Sequence, residues 1–229
     1  MPSNANLELT MPRLFSLLLT AFLCGHAIAE TRVKITPDLA EITVQHSGEP
    51  VTVRRNQDTS NEIDPSFQLT SRRCPPFCIQ PFQVAEGVET IDELQMLEYL
   101  KRISEGDDSI LVIDSRGSRW LEHGTIPGSI NIHYKKLSLR SATESDIAAI
   151  LEHQFGVERN GELWNYRWAK TLVLFCNGMW CGQAPTNIRS LLRFGYPASK
   201  LKWYRGGVQD WETLGLTSIK PDGLNHDTQ

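Results

Sequence analysis

The sequence predicts an α/β fold, a parallel sheet flanked by helices with a small β extension in front of it. Three observations carry this. Residues 109–113, 171–175 and 201–204 are short apolar runs with the length and residue types of buried strands. Each is followed by a loop and then by a helical or turn pattern. Strands that alternate with helices need crossover connections, and crossovers make neighbouring strands parallel. The chain has 229 residues, 40% hydrophobic and 22% charged, which suits one domain with an elaboration. Its net charge is −4 and no basic tract stands out, so a nucleic-acid partner is not expected.

Residues 1–29 read as an export signal. Arg13 precedes an apolar run over 14–24, and Ala27-Ile28-Ala29 has the small-residue pattern of a cleavage site. The run is shorter than the roughly 20 residues that cross a bilayer. The expectation is therefore a periplasmic or secreted protein with no stable membrane insertion once the signal is removed. Four cysteines follow the signal: Cys74, Cys78, Cys176 and Cys181. Oxidising surroundings make disulfides a live option, and four cysteines allow three complete pairings.

Residues 30–85 form the expected β/loop extension. Ile42 and Val44, then Val51 and Val53, alternate with polar residues around Ser47-Gly48-Glu49-Pro50, a hairpin pattern. Residues 56–89 lack clear periodicity and contain Cys74-Pro75-Pro76-Phe77-Cys78, where the prolines exclude a helix. A loop this long is usually functional or pinned by a crosslink. A local Cys74–Cys78 disulfide is the leading reading. The rival is a second redox pair that exchanges with the Cys176 loop.

Residues 86–217 form the main domain. Thr90-Ile91-Asp92-Glu93 reads as a capping box opening a helix to about residue 103, with Leu94, Leu97 and Leu100 near one face. The strand at 109–113 ends in Asp114-Ser115-Arg116. Trp120-Leu121 begins a short helical or irregular piece, and 124–132 is a turn feeding another strand. Residues 146–155 form an amphipathic helix, and 156–170 an aromatic-rich connection containing Asn160-Gly161. After the strand at 201–204 come a turn at 205–207 and a helical turn at 208–211. Residues 218–229 make a polar tail expected to be loose. Trp164, Trp168, Trp203 and Trp211 read as core, and His123 and His133 as surface.

The strand at 171–175 runs into Cys176-Asn177-Gly178-Met179-Trp180-Cys181-Gly182 and then a helix to about 194, with Pro185 in its first turn and Gly195 just past its end. A thiol at a helix N-terminus meets free N–H groups and the positive end of the helix dipole. The expectation is a Cys176 thiol with a lowered pKa, held ionised. Parallel sheets place ligands at the carboxyl ends of their strands, so Asp114, Cys176 and Arg205 should share one rim. Asn177, Gly178, Met179, Trp180, Gly182 and Arg205 are the candidate substrate-binding residues. Cys181 is either a resolving thiol that attacks a sulfur carried on Cys176 or a cap for the helix. An inert Cys176–Cys181 disulfide is the bland alternative. Asp114 and Arg116 read as a structural pair, and Arg205 as either an anion guide or half of a surface ion pair. No cofactor is predicted, and no metal, because Cys-x3-Cys with Cys-x4-Cys is not a usual zinc spacing.

Three segments resemble the rhodanese (sulfurtransferase) family: Leu111-Val-Ile-Asp-Ser-Arg116 with Ile126-Pro-Gly-Ser-Ile-Asn131, Leu172-Val-Leu-Phe-Cys176 with its loop and helix, and Gly206-Gly-Val-Gln-Asp-Trp211. The likeness covers about residues 86–217. It implies a sheet flanked by helices, a catalytic Cys176, and a persulfide passed from a small sulfur donor to a thiol or cyanide acceptor. Two departures mark this chain. Cys181 stands where the family opens its helix with Ser or Thr, one residue earlier, and the usual loop Arg is absent around Met179-Trp180. The alternative function is a periplasmic thiol–disulfide redox protein using Cys176 and Cys181 with a redox protein partner. A catalytically silent module that binds a partner or a metal is the third reading.

Overall fold

Alternating apolar residues build the first element as expected. In the computed structural model, which describes Met1, residues 32–161 and residues 163–220, β1 (Glu41–His46) pairs with β2 (Glu49–Arg54) as an antiparallel hairpin. Ile42 sits opposite Val53 and Val44 opposite Val51. The turn is only Ser47 and Gly48, at φ 52 and 88. Left-handed conformations at both positions match the twist of the strands, so Glu49 and Pro50 are drawn into β2. The expected signal lies outside the described residues.

A short helix α1 (Pro65–Gln68), capped by Asp64, interrupts the loop region. β3 (Glu89–Ile91) and α2 (Glu93–Ser104) follow. The helix start differs from the sequence expectation. Thr90 and Ile91 are taken up by parallel pairing with a later strand, opposite Trp203 and Tyr204. The capping box therefore falls on Asp92 and Gln95. Met96, Leu97 and Leu100 carry the buried face, and Leu94 is 52% exposed.

β4 (Ile110–Asp114), α3 (Ser118–Leu121) and β5 (Ile130–Asn131) lead to α4 (Glu144–His153), which opens on a Thr143/Asp146 capping box. The connection at 156–170 is more regular than its sequence suggests. β6 (Glu158–Asn160) and β7 (Leu163–Asn165) form a hairpin, with Gly161 at φ 63. Then come β8 (Thr171–Phe175), α5 (Gln183–Arg193), β9 (Leu201–Tyr204) and α6 (Gly207–Thr213). The main sheet runs β3-β9-β8-β4-β5 with every neighbouring pair parallel.

The pleat of β8 sorts its side chains onto two cores. Leu172, Leu174 and Cys176 join Ile147 and Leu151 of α4 and Ile188 and Leu191 of α5. Val173 and Phe175 join Met96, Leu97 and Leu100 of α2, Trp211 of α6, and Ile42, Val44 and Val53 of the hairpin. Each buried aliphatic chain is worth about 1.5–3 kcal/mol, so the extension is part of the core. It is also stitched to the end of the domain: Asn56 N–H donates to Gly215 O (2.7 Å) and Thr217 N–H to Arg54 O (3.0 Å). Thr125 and Ile219 exchange backbone bonds at 2.7 and 3.0 Å, so residues 218–220 are not the loose start of a tail. Positions 221–229 lie outside the described residues. Of the four tryptophans expected in the core, Trp203 and Trp211 are fully buried, Trp164 is half-buried, and Trp168 is 65% exposed.

Candidate active site

β8 is central in the sheet, and its end is fixed by Ser115 N–H donating to Phe175 O at 2.9 Å. That places Cys176 on the rim. The loop 176–182 then turns the chain into α5, whose N-cap is Gly182. Cys181 is therefore not the N-cap residue; it lies two residues before the first helical residue, Gln183, whose amide meets its sulfur. Its own N–H is spent on Gly178 O at 2.9 Å.

The two thiols meet. The Cys176 thiol donates to the Cys181 carbonyl at 3.3 Å, and the sulfurs are in hydrogen-bond contact. Neither is in a disulfide, and both are buried, at 2% and 4% exposure. The amides of Gly178 and Ala184 point at the Cys176 sulfur; those of Asn177 and Gln183 point at Cys181. A thiolate cradle made from loop and helix amides is thus present, but its charge rests elsewhere than expected. Burial pushes the Cys176 thiol well above its ordinary pKa, and the neighbouring Cys181 adds to this by hydrogen bond and charge. Two amides do not offset complete desolvation. Burial also raises Cys181, yet there the bond from Cys176, two amides and the Arg116 charge outweigh it, and the net shift is downward. The direction at Cys176 is thus upward, where the sequence led us to expect a lowered thiol, and the downward shift falls on its neighbour Cys181.

Asp114 and Arg116 are fully buried, as a structural pair should be. Arg116 forks onto the carboxylate, Nε to Oδ1 at 2.9 Å and Nη2 to Oδ2 at 2.7 Å. Thr125 Oγ1 donates to the same carboxylate at 2.7 Å, and Arg116 Nη2 also donates to Gly124 O at 2.6 Å. Arg116 Nη1 reaches Asn177 Oδ1 at 3.5 Å. Arg116 thus reaches Asn177, the residue beside Cys176, and its charge acts on Cys181.

The start of α6 closes the loop from below. Val208 N–H donates to Cys176 O at 3.0 Å and Gln209 N–H to Asn177 O at 2.9 Å. Gly207 sits at φ 61, and a Cβ there would lie 2.3 Å from Cys176 O. Only glycine combines that conformation with that approach.

From above, residues 72–82 form a strap. Gln80 N–H donates to Met179 O at 2.8 Å, and Arg205 Nη2 donates to Gln80 O at 2.9 Å. Arg205 therefore holds the strap through one donor, while its Nε is buried without a partner. Phe77 meets Trp180 edge-on at 5.4 Å, inside the loop closed by the Cys74–Cys78 disulfide. The Arg72 guanidinium lies 4.4 Å from the Trp180 ring centroid and 5.5 Å from those of Trp120 and Phe77. Trp180 Nε1 donates to Gln209 Oε1 at 2.7 Å. The sequence reading missed Arg72, Phe77, Gln80 and Gln209. Phe77, bracketed by two cysteines, was the one available hint.

Replacing Arg72 by alanine removes a cation worth about 0.5–2 kcal/mol against these rings. The expected result is several-fold faster alkylation of the buried thiols by iodoacetamide, followed by mass spectrometry. An unchanged rate would show that the strap does not shield them.

The remaining expected site residues are placed as follows. Met179 is partly exposed at the loop tip, and Gly182 passes beneath the Gln80 side chain. The two histidines read as surface residues have defined contacts. His123 Nδ1 lies 3.4 Å from Asp64 Oδ1. His133 accepts from Lys135 N–H at 3.1 Å, and burial, with Lys135 and Lys136 beside it, holds its imidazole below the usual range. Among the described residues no cluster of three or more His, Cys, Asp or Glu side chains could hold a metal ion, and no helix is long and apolar enough to cross a membrane.

A central strand that delivers a cysteine to the rim of a parallel sheet, ahead of a helix N-terminus, defines an α/β thiol protein. More narrowly, the rhodanese-like domain family matches residues 96–214, just over half of the sequence, and the chain belongs to that family. No curated protein matches it. Among solved structures it is similar to a Rhodopseudomonas palustris protein of unknown function, described as a possible tyrosine phosphatase (18% identity, 59% of this chain and 88% of that one, TM-score 0.38). It is also similar to a human single-domain sulfurtransferase (21%, 55% and 96%, TM-score 0.36). A third is the thiosulfate sulfurtransferase of Pseudomonas aeruginosa (16%, 58% of this chain, TM-score 0.38), of which this chain covers only 20%.

Proposed function

We propose that the protein is an exported sulfurtransferase that carries a sulfane sulfur as a persulfide on Cys176 and passes it to a thiol or cyanide acceptor. The observation that carries this reading is the position of Cys176, at the rim of the sheet with the Gly178 and Ala184 amides on its sulfur. Membership of the rhodanese-like family supports it. The Cys181 thiolate accepts the Cys176 proton, and the resulting Cys176 thiolate attacks the outer sulfur of the donor. A new sulfur–sulfur bond forms, and the donor's leaving group departs with the electron pair of the bond that breaks. The acceptor then attacks the outer persulfide sulfur, and Cys176 leaves as thiolate to regain its proton. Export draws support from the Cys74–Cys78 disulfide, which persists best in an oxidising compartment.

The contact between the two free thiols favours a second reading, a thiol–disulfide redox protein. There the pair gives two electrons and two protons to a disulfide on a partner protein and closes a Cys176–Cys181 bond. Mass spectrometry of the loop peptide separates the readings. After exposure to thiosulfate, sulfur transfer adds one sulfur atom to Cys176. A peptide that only loses two hydrogens, with or without donor, would replace the first reading by the second.

Proton acceptance by Cys181 has a pH signature. In the native pair a proton leaves Cys181 below the usual thiol range, so persulfide formation begins at lower pH than for an ordinary buried cysteine. In Cys181→Ser that acceptor is gone, while Cys176 stays desolvated. The pH–rate curve for persulfide formation is expected to move to higher pH. Superimposable curves would remove Cys181 from the proton step.

A further inference from the structure

One depression takes no part in the chemistry above. It lies between the middle of α5 and the loop that follows the 3₁₀ turn at Tyr134–Lys136, and it encloses about 320 Å³. Ser138, Arg140, Thr186, Arg189, Ser190 and Arg193 line it. Arg189 and Arg193 are four residues apart on α5 and so share a face. Arg140 comes in from the facing loop.

Charge and burial are both unbalanced there. None of the three guanidinium groups has a hydrogen bond or ion pair among the described residues. No carboxylate lines the depression, although the chain as a whole carries net charge −4. All three arginines are exposed, so water screens part of their mutual repulsion, and an anion joining them would relieve the rest. Below them Ser190 is 6% exposed, and its Oγ is buried without a partner. A buried hydroxyl left unpaired is unfavourable, and native structures rarely keep one without a reason. Ser138 Oγ accepts from Arg140 N–H at 3.4 Å, which leaves its hydrogen free, while Thr186 Oγ1 already donates to Gly182 O at 2.7 Å.

We propose that this depression is a second ligand site, built for the phosphate group of a small soluble molecule. Arg140, Arg189 and Arg193 hold the phosphate oxygens from the rim, and the Ser190 hydroxyl donates from the floor. Guanidinium groups suit this task because their planar forks bind phosphate oxygens in pairs. The volume lies at the low end for ligand pockets, which suits a phosphate or pyrophosphate group and excludes the burial of a whole nucleotide. The site does not depend on the sulfur-transfer reading.

The test is calorimetry of the full chain with inorganic pyrophosphate at about 0.15 M salt, where diffuse surface attraction is largely screened. Saturable one-site binding is expected. The double variant Arg189→Ala/Arg193→Ala should weaken it at least about tenfold, and Ser190→Ala several-fold. Arg54→Ala, which removes an exposed arginine at the end of the hairpin, should bind as the native chain does. Arg140→Ala supplies the same readout from a separate element if the α5 variants fold poorly. Absence of saturable binding in the native chain would overturn the site, and so would equal weakening by Arg54→Ala and the α5 or Arg140 variants.

Discussion

Replacing Arg116 by leucine is expected to lower stability by about 3–5 kcal/mol. The guanidinium and its Asp114 partner are fully buried, and the fork between them supplies most of the carboxylate's hydrogen bonds. Without it, Asp114 keeps only the Thr125 hydroxyl and the backbone N–H of residue 116. A typical domain has about 5–15 kcal/mol in total, so the variant should melt far earlier and lie near the limit of folding. Urea denaturation checks this. The double variant Asp114→Asn/Arg116→Met should recover much of the loss, because the cost lies mainly in stranding one charge. A single-variant loss below about 1 kcal/mol would show that the carboxylate finds another way to be neutralised. The same variants bear on chemistry, since the Arg116 charge is one of the forces that lower the Cys181 thiol.

Gly207→Ala should be the most damaging change of a single atom. A Cβ at this position meets Cys176 O at 2.3 Å, Gly178 N at 2.7 Å and Asn177 C at 2.8 Å, all of them backbone. Neither side can yield without moving the thiol loop or unseating α6. A left-handed alanine alone costs about 1–2 kcal/mol, and the collision adds to it, so a total loss of at least about 3 kcal/mol is expected. The persulfide formation proposed for Cys176 should fall more than tenfold, since 1 Å misplacements cost on the order of 100-fold in rate. Gly161→Ala provides the comparison. Gly161 has nearly the same φ, 63 against 61, with nothing near its absent Cβ. Equal losses in the two variants would show that backbone conformation, not the close approach to Cys176, explains the glycine.

How far these features were legible in the sequence depends on their range. β8, α5 and Gly195 at the helix end were readable because an apolar run, a 3.6-residue period and a terminating glycine are all local signals. The hairpin of β1 and β2 was equally local. β3 was not, since its three residues become a strand only when β9 lies beside them. That pairing is also what moved the capping box from Thr90 to Asp92. At the site, the sequence located Cys176 and the neighbouring thiol but not the sign of the shift. Amide donors follow from a strand–loop–helix pattern, whereas depth of burial comes from core residues of other elements, such as Ile147 and Leu151 of α4, that only the fold brings to the loop. The structural partner of Arg205 was invisible for the same reason, because Gln80 lies on the strap.

The family-matched stretch begins at residue 96, inside α2, and ends at residue 214. Ile42, Val44, Val53, Phe67 and Ile91 precede it, and all are core. An excised cassette trimmed to those limits would lose β3 and leave β9 as a bare edge, open to pairing with other chains. It would also uncover Val173, Phe175 and Trp211 to water and remove the strap that packs on Met179 and Trp180. Such a fragment should aggregate in dilute buffer, so the smallest stable cassette starts at or before β1.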